Sequence, residues 1–252
     1  MALRIGRPRW RVVGLVLLVI VALGAVGVGA YTAPQPLLPQ ATASLASTSA
    51  VSFSDAGGRL EWSPAGVSPT TGLIVYPGAK VPAAAYGPLA QQIAGNGFLV
   101  VVVPMPLNFA VLGIGSADGV IAAHPDIKAW AVGGHSLGGA MAAQYASGKH
   151  PASLRGLALW ASYSAADLSN SGLRVVSVYG TLDAGAATIT APETTKLLPG
   201  ATIYVTVEGG NHEQMGWYTG QPNDPPATIA RDEQQRQVAA ATMAMLQGLS
   251  AP

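Results

Sequence analysis

Residues Ile127 to Ala146 constrain this chain more than any other stretch. A mostly apolar run, Ile127 to Val132, interrupted by Lys128, ends in Gly133-Gly134. Gly134-His135-Ser136-Leu137-Gly138 follows, the pattern Gly-x-Ser-x-Gly, and Ala140 to Ala146 then reads as a helix stopped by Gly148. The spacing predicts a strand, a sharp turn with Ser136 at its tip, and a helix. Such a turn strains the serine backbone and draws its neighbours so close that a Cβ two residues to either side would clash, which accounts for Gly134 and Gly138. It lifts the hydroxyl above the strand ends and leaves the N–H of Leu137 at a helix N-terminus. With 31 glycines in the chain, the pattern carries weight only if its surroundings agree.

The surroundings alternate strand and helix from Val51 onward, which argues for an α/β fold with a mostly parallel, twisted sheet of about eight strands and helices on both faces. Val51–Ser54 and Arg59–Trp62 read as a first antiparallel pair around Ala56-Gly57-Gly58. Leu73–Tyr76 is a short buried strand ending in Pro77-Gly78-Ala79-Lys80. A helix follows, with Tyr86, Leu89 and Ile93 on one face and Gly95-Asn96-Gly97 at its end. Phe98–Val103 is continuously apolar, as a strand covered on both faces should be. A short helix over Ala117–Ala123 precedes the turn. Leu154–Trp160, Leu173–Tyr179 and Ala201–Val207 complete the strands, with a short helix at Pro192–Leu198 before the last. About a dozen residues separate the first two of these, which leaves no room for a cap domain. A long helix, roughly Ala230 to Gln247, closes the chain, with the apolar stripe Val238, Thr242, Met245 and Leu249. Its polar face holds Arg231, Asp232, Glu233, Gln235 and Arg236.

Ahead of this domain, residues 1–11 carry Arg4, Arg7, Arg9 and Arg11 and no acid. Val12–Ala30 is then an uncharged apolar run of about 19 residues, or roughly 28 Å as a helix, enough to cross a bilayer core. The expectation for residues 1–32 is a single-pass anchor in the cell membrane, with the arginines cytoplasmic and everything after residue 31 outside. The alternative is a signal sequence cleaved after Val28-Gly29-Ala30, giving a secreted protein. Residues 33–50, rich in Pro, Ser, Thr and Ala and without charge, read as a linker that lifts the domain, residues 51–252, off the membrane. A formal net charge of +1 gives no reason to expect nucleic acid. The absence of cysteine excludes disulfides, thiolate metal sites and a cysteine nucleophile.

A serine hydroxyl becomes a useful nucleophile when a base takes its proton, and the base needs an orienting acid. His212, in Gly209-Gly210-Asn211-His212 just after the last strand, sits on an exposed turn at a strand's C-terminal end. His135 occupies the variable position of the turn, while His124 and His150 read as ordinary loop residues. Asp183, in Tyr179-Gly180-Thr181-Leu182-Asp183, follows a buried strand, and Asp167, one strand earlier, is its rival for the acid position. An oxyanion needs two donors: the N–H of Leu137, and one from the loop after Tyr76, where Ala79 supplies the N–H and Gly78 the close approach. Lys80 beside them reads as a solvated loop residue. The loop Met105–Gly113 is unusually apolar. Leu107 and Phe109 from it, with Met215, Trp217 and Tyr218, are the expected substrate pocket.

Together, the turns GGHSLGG, YGTLD and GGNH resemble, in order, the three catalytic segments of the α/β-hydrolase fold family, and the resemblance covers residues 51–252. Within that family the layout looks closest to small, lidless bacterial serine esterases and dienelactone-hydrolase-like proteins. Ser136 stands where the latter carry cysteine, so lactone specificity is not implied, and YPGAKV lacks the His-Gly-Gly-Gly motif of many lipases. The resemblance implies a serine hydrolase that cleaves small carboxylic esters through an acyl-enzyme. Ser136 is the nucleophile, His212 the general base and Asp183 the acid that orients it, with no metal or organic cofactor. An open site implies short to medium acyl groups. The same triad would serve an acyltransferase acting on a cell-envelope alcohol, and a non-catalytic binding module on this fold is the reading from a different class.

Overall fold

The apolar runs become the eight strands of one sheet. In the computed structural model, which describes residue 29 and residues 32–250, these are β1 (Val51–Ser54), β2 (Leu60–Pro64), β3 (Thr71–Tyr76), β4 (Leu99–Val102), β5 (Ala129–His135), β6 (Leu154–Trp160), β7 (Arg174–Gly180) and β8 (Ile203–Val207). Their spatial order is β1-β2-β4-β3-β5-β6-β7-β8. β2 pairs antiparallel with β1 and with β4, and every later pairing is parallel. β3, β4 and β5 are buried along their whole lengths. Hence their sequences read as unbroken apolar runs rather than alternating ones.

Pleating sends successive side chains to opposite faces. Leu73, Val75, Ala129 and Ala131 join the core on one face, under the helices Gly87–Ala94 and Arg231–Ser250. Ile74, Tyr76, Trp130 and Val132 join the core on the other, under the helices Ser116–Ala123 and Leu137–Ser147. The expected stripe of the last helix is buried: Val238 and Thr242 are fully inaccessible and Thr242 accepts a hydrogen bond from Trp160 Nε1 at 3.1 Å. Each large apolar side chain buried in this way stabilises the fold by about 1.5–3 kcal/mol. The connection from β6 to β7 carries no helix, and among the described residues no cap domain stands over the strand ends.

Residues 34–50 depart from the linker expected of them. Pro34–Pro252 is one compact unit, and its first residues are strapped to its surface. Gln35 N–H donates to Lys80 O at 2.8 Å, Leu37 bridges Tyr218, and Leu38 N–H donates to Trp217 O at 3.0 Å. A short helix, Pro39–Ala43, buries Ala41, and the Ser44 carbonyl accepts from Trp62 Nε1 at 2.9 Å and Gln91 Nε2 at 3.1 Å. A Pro- and Ala-rich composition suits a strap held by its backbone as well as it suits a free linker, and its partners lie far away in sequence. The apolar run Val12–Ala30 falls, apart from Gly29, outside the described residues. Among the described residues no helix is long and apolar enough to cross a membrane.

Candidate active site

Sheet register decides which turns meet. Tyr76 at the end of β3 lies opposite Gly134 of β5, so the Pro77–Lys80 loop runs beside the turn that carries Ser136. Gly180 at the end of β7 lies opposite Val207 of β8, which brings the turn of Asp183 beside the turn of His212.

Ser136 has φ 53° and ψ −125°, a left-handed backbone that a non-glycine residue adopts only when its surroundings enforce it. A Cβ on Gly138 would fall 2.0 Å from Tyr76 O, and one on Gly134 2.3 Å from the same atom, so both positions exclude any side chain. Ser162 Oγ donates to Ser136 O at 2.7 Å and Ser136 N–H to Trp160 O at 3.0 Å, which locks the turn from the β6 side.

His212 Nδ1 donates to Asp183 Oδ2 at 3.0 Å. A carboxylate can only accept, so the proton resides on Nδ1 and Nε2 is left as the basic nitrogen. The Asp183 side chain is 1% exposed, and its other oxygen accepts from Gly185 N–H at 2.7 Å. Asp167, the rival acid, is exposed and, among the described residues, bonds only to Ser169, which holds its carboxyl below the usual range. The two turns cross at close quarters: Leu182 N–H donates to Gly210 O at 2.9 Å, and a Cβ on Gly180 would lie 2.2 Å from that oxygen.

Two supports of His212 escaped the sequence. Asp224 accepts from His212 N–H at 3.1 Å and from Glu213 N–H at 2.7 Å; partial burial pushes its carboxyl pKa up, against the pull of these two bonds. Gln234, fully buried on the last helix, accepts from Asn211 N–H at 3.0 Å and donates to Asn211 O at 2.7 Å. Gln235, expected on the solvent face, is also buried and donates to Gln214 O at 2.6 Å. A glutamine next to an apolar stripe gives no sequence signal of this, because its partners belong to another loop.

On the oxyanion side, Gly78 N–H is already engaged: it donates to Tyr86 Oη at 2.9 Å. The Tyr86 hydroxyl is in turn hydrogen-bonded to His135 Nδ1 at 2.9 Å, so it bridges the two. The available N–H groups are therefore those of Leu137, first residue of its helix, and Ala79, for which no partner is found among the described residues. His135 is 1% exposed and its ring centroid lies 4.5 Å from that of His212. Burial first, and the neighbouring His212 second, hold its pKa well below the usual histidine range, so it is neutral. His135 is thus part of the structure beneath the site rather than a free position of the turn.

The expected pocket divides. Leu107 is exposed and Phe109 half-buried, and their loop is tied to the oxyanion side by Lys80 N–H donating to Asn108 O at 2.8 Å. Met215 and Tyr218 are fully inaccessible members of the core and cannot line an open pocket. Trp217 opens instead on a separate cleft with Pro88, Gln92, Asn96 and Arg236, whose lining includes neither Ser136 nor His212. The reason is a pair of backbone bonds, one from the strap: Trp217 N–H donates to Ala85 O at 2.7 Å and Leu38 N–H to Trp217 O at 3.0 Å, which hold residues 215–218 against the body of the domain. His124 pairs with Glu61 at 3.3 Å and His150 with the Pro151 carbonyl, both away from these turns.

Among the described residues six non-glycines have positive φ: Lys80, Leu107, Asn108, Ser136, Ala161 and Asn223. All six lie in loops that leave the C-terminal ends of parallel strands, after β3, β4, β5, β6 and β8. The positive-φ residues thus gather at the sheet edge that carries Ser136, Asp183 and His212.

The sequence profile of the Alpha/beta hydrolase family matches residues 72–236, which include all three of these turns. No curated protein matches the chain. Among solved structures, a predicted CIB-like hydrolase from Thermoplasma acidophilum is 13% identical with a TM-score of 0.57, over 79% of this chain and 97% of that one. A protein provisionally assigned as a dienelactone hydrolase from Klebsiella pneumoniae is 14% identical with a TM-score of 0.54, over 78% and 97%. TT1662 from Thermus thermophilus is 15% identical with a TM-score of 0.57, over 80% and 98%. At such identities the structures speak for the fold, and the family match, over most of the chain and all three turns, establishes that this protein belongs to the alpha/beta hydrolase family.

Proposed function

We propose that this alpha/beta hydrolase is a serine esterase that cleaves small carboxylic esters through an acyl-enzyme. The observation that carries the reading is the pairing of half-buried His212 with buried Asp183, 3.0 Å apart, on the same sheet edge as the strained Ser136 turn. His212 Nε2 accepts the Ser136 Oγ proton as Oγ attacks the acyl carbonyl. The oxyanion gathers the Leu137 and Ala79 N–H groups. Collapse of the tetrahedral adduct breaks the ester C–O bond, and His212 returns the proton to the leaving alcohol. Water, deprotonated by His212, then attacks the acyl-Ser136 carbonyl, and the acid leaves as Oγ regains its proton. Asp183 stays ionised throughout and stabilises the imidazolium. With no cap over the strand ends, short to medium acyl groups suit the site best. In the same reading, Val12–Ala30 anchors the chain and residues beyond it are extracytoplasmic.

A fluorophosphonate probe tests this directly. Labelling mapped to Ser136 by mass spectrometry and absent from Ser136→Ala is the expected result. A folded chain that takes no label would reject the esterase and acyltransferase readings alike and favour a binding module.

A further inference from the structure

Seven large apolar side chains stand exposed among the described residues: Leu37, Val67, Leu107, Val111, Leu112, Tyr163 and Ile203. They are unevenly placed. Leu107, Val111 and Leu112 follow β4, Tyr163 follows β6, and Leu37 bridges Tyr218 in the loop after β8, so five of the seven belong to the sheet edge that carries Ser136. Val67 precedes β3 and Ile203 opens β8, at the other edge. Leu107, Val111 and Leu112 are each more than half exposed. They lie within residues 104–117, a segment with no charged side chain.

The route of the chain says what covers this corner. Gln35 N–H is bonded to Lys80 O and Lys80 N–H to Asn108 O, both at 2.8 Å. The domain therefore begins two hydrogen bonds away from the exposed loop. The uncharged run ends at Ala30, and the five residues to Gln35 can span at most about 17 Å. Because residues 34–50 are fastened down rather than free, no further slack is available. With Val12–Ala30 held in a bilayer, those five residues would let Gln35, and the corner it is bonded to, lie no more than about 17 Å from the end of that run. We infer that Leu107, Val111 and Leu112 dock into the headgroup–acyl boundary of the bilayer, as the apolar face of an interfacial segment does. The mouth of the Ser136 turn then lies along the lipid surface. The docking stands without the esterase reading; its consequence, that an ester partitioned at the lipid surface reaches Ser136 directly, rests on it.

The absence of cysteine makes the test clean. Leu112→Cys and Val67→Cys, each in the full chain, are labelled with an environment-sensitive fluorophore and reconstituted in phosphatidylcholine–phosphatidylglycerol vesicles with or without lipids spin-labelled high on the acyl chain. The expected result is a blue-shifted, spin-quenched signal at position 112 and a water-like, unquenched one at position 67. An unquenched label at 112 on chains that float with the vesicles overturns the proposal, as does equal quenching at both positions. Chains that do not float remove the anchor and the docking with it. A blue shift at 112 that persists in detergent and grows with protein concentration, without spin quenching, would show a second copy covering the corner and overturn it too. Fluorophosphonate labelling of the same vesicles keeps the two readings apart: label without docking leaves the hydrolase intact, and docking without label does the reverse.

Discussion

Tyr86→Phe removes a single oxygen from beneath the site, and its effect can be worked out from the contacts. The ring is 1% exposed and packs against Trp160 at 6.5 Å between centroids, contacts that phenylalanine keeps. What is lost is the hydroxyl that accepts from Gly78 N–H and is hydrogen-bonded to His135 Nδ1, each at 2.9 Å. Both partners stay buried and unpaired, and a buried polar group stripped of its partner costs about 1–3 kcal/mol. The pair predicts a loss of about 2–6 kcal/mol, and for a domain of this size about 2–4 °C per kcal/mol, so melting drops by roughly 10 °C. Activity should fall beyond what stability explains, because Gly78 sets the direction of the Ala79 N–H. A loosened oxyanion donor lowers kcat by about 10-fold or more with little change in KM. Tyr145→Phe is the control. It loses a bond to Asp118 at 2.6 Å away from the site and should lower melting without a matching fall in kcat. The assay is thermal unfolding beside steady-state hydrolysis of a nitrophenyl ester. A Tyr86→Phe protein that melts within a degree or two of the parent and keeps its kcat would refute the bridging role of the hydroxyl.

Three other outcomes are expected. Asp183→Asn keeps the fold and the bond from Gly185 but leaves His212 in the wrong tautomer; kcat for ester hydrolysis falls by about 10³–10⁴-fold with KM nearly unchanged. Gly138→Ala places a Cβ against the backbone oxygen of Tyr76, which has no room to retreat; soluble protein labelled at Ser136 at the parent rate would contradict the packing of the turn. His135 is buried with a depressed pKa, so below its ordinary value of 6.5 the unfolded chain takes up a proton that the folded one refuses. Stability is therefore fully present above that pH and declines as pH falls below it, by up to about 1.4 kcal/mol per pH unit. His135→Gln should flatten the acid side of the melting-temperature profile, and an unchanged slope would count against the assignment.

What the sequence made legible and what it hid divide along one line. A strand buried on both faces announces itself as an apolar run, so Leu154–Trp160 is read to the residue and the others to within a few. The positions of Ser136, Asp183 and His212 in the fold are legible for a related reason: each sits on a glycine-bearing turn directly after such a strand. The supports are not local. Tyr86 meets His135 across 49 residues and Gln234 meets Asn211 across 23, and no periodicity encodes those meetings. Even so, part of the answer was present in the pleat. His135 is an odd-numbered residue of β5, on the same face as Ala129 and Ala131, whose core includes Tyr86, Trp160 and Tyr218. Parity alone sends its ring inward, beneath His212; the hydroxyl that waits there depends on how the β3–helix loop returns to the sheet. Met215 and Tyr218 were misplaced through the same gap. Their turn follows His212, so proximity in sequence suggested a pocket wall, but Leu37 and Leu38 from the other end of the domain pair with Tyr218 and Trp217 and draw the segment inward. The strap that looked like a spacer therefore decides what lies beneath the site.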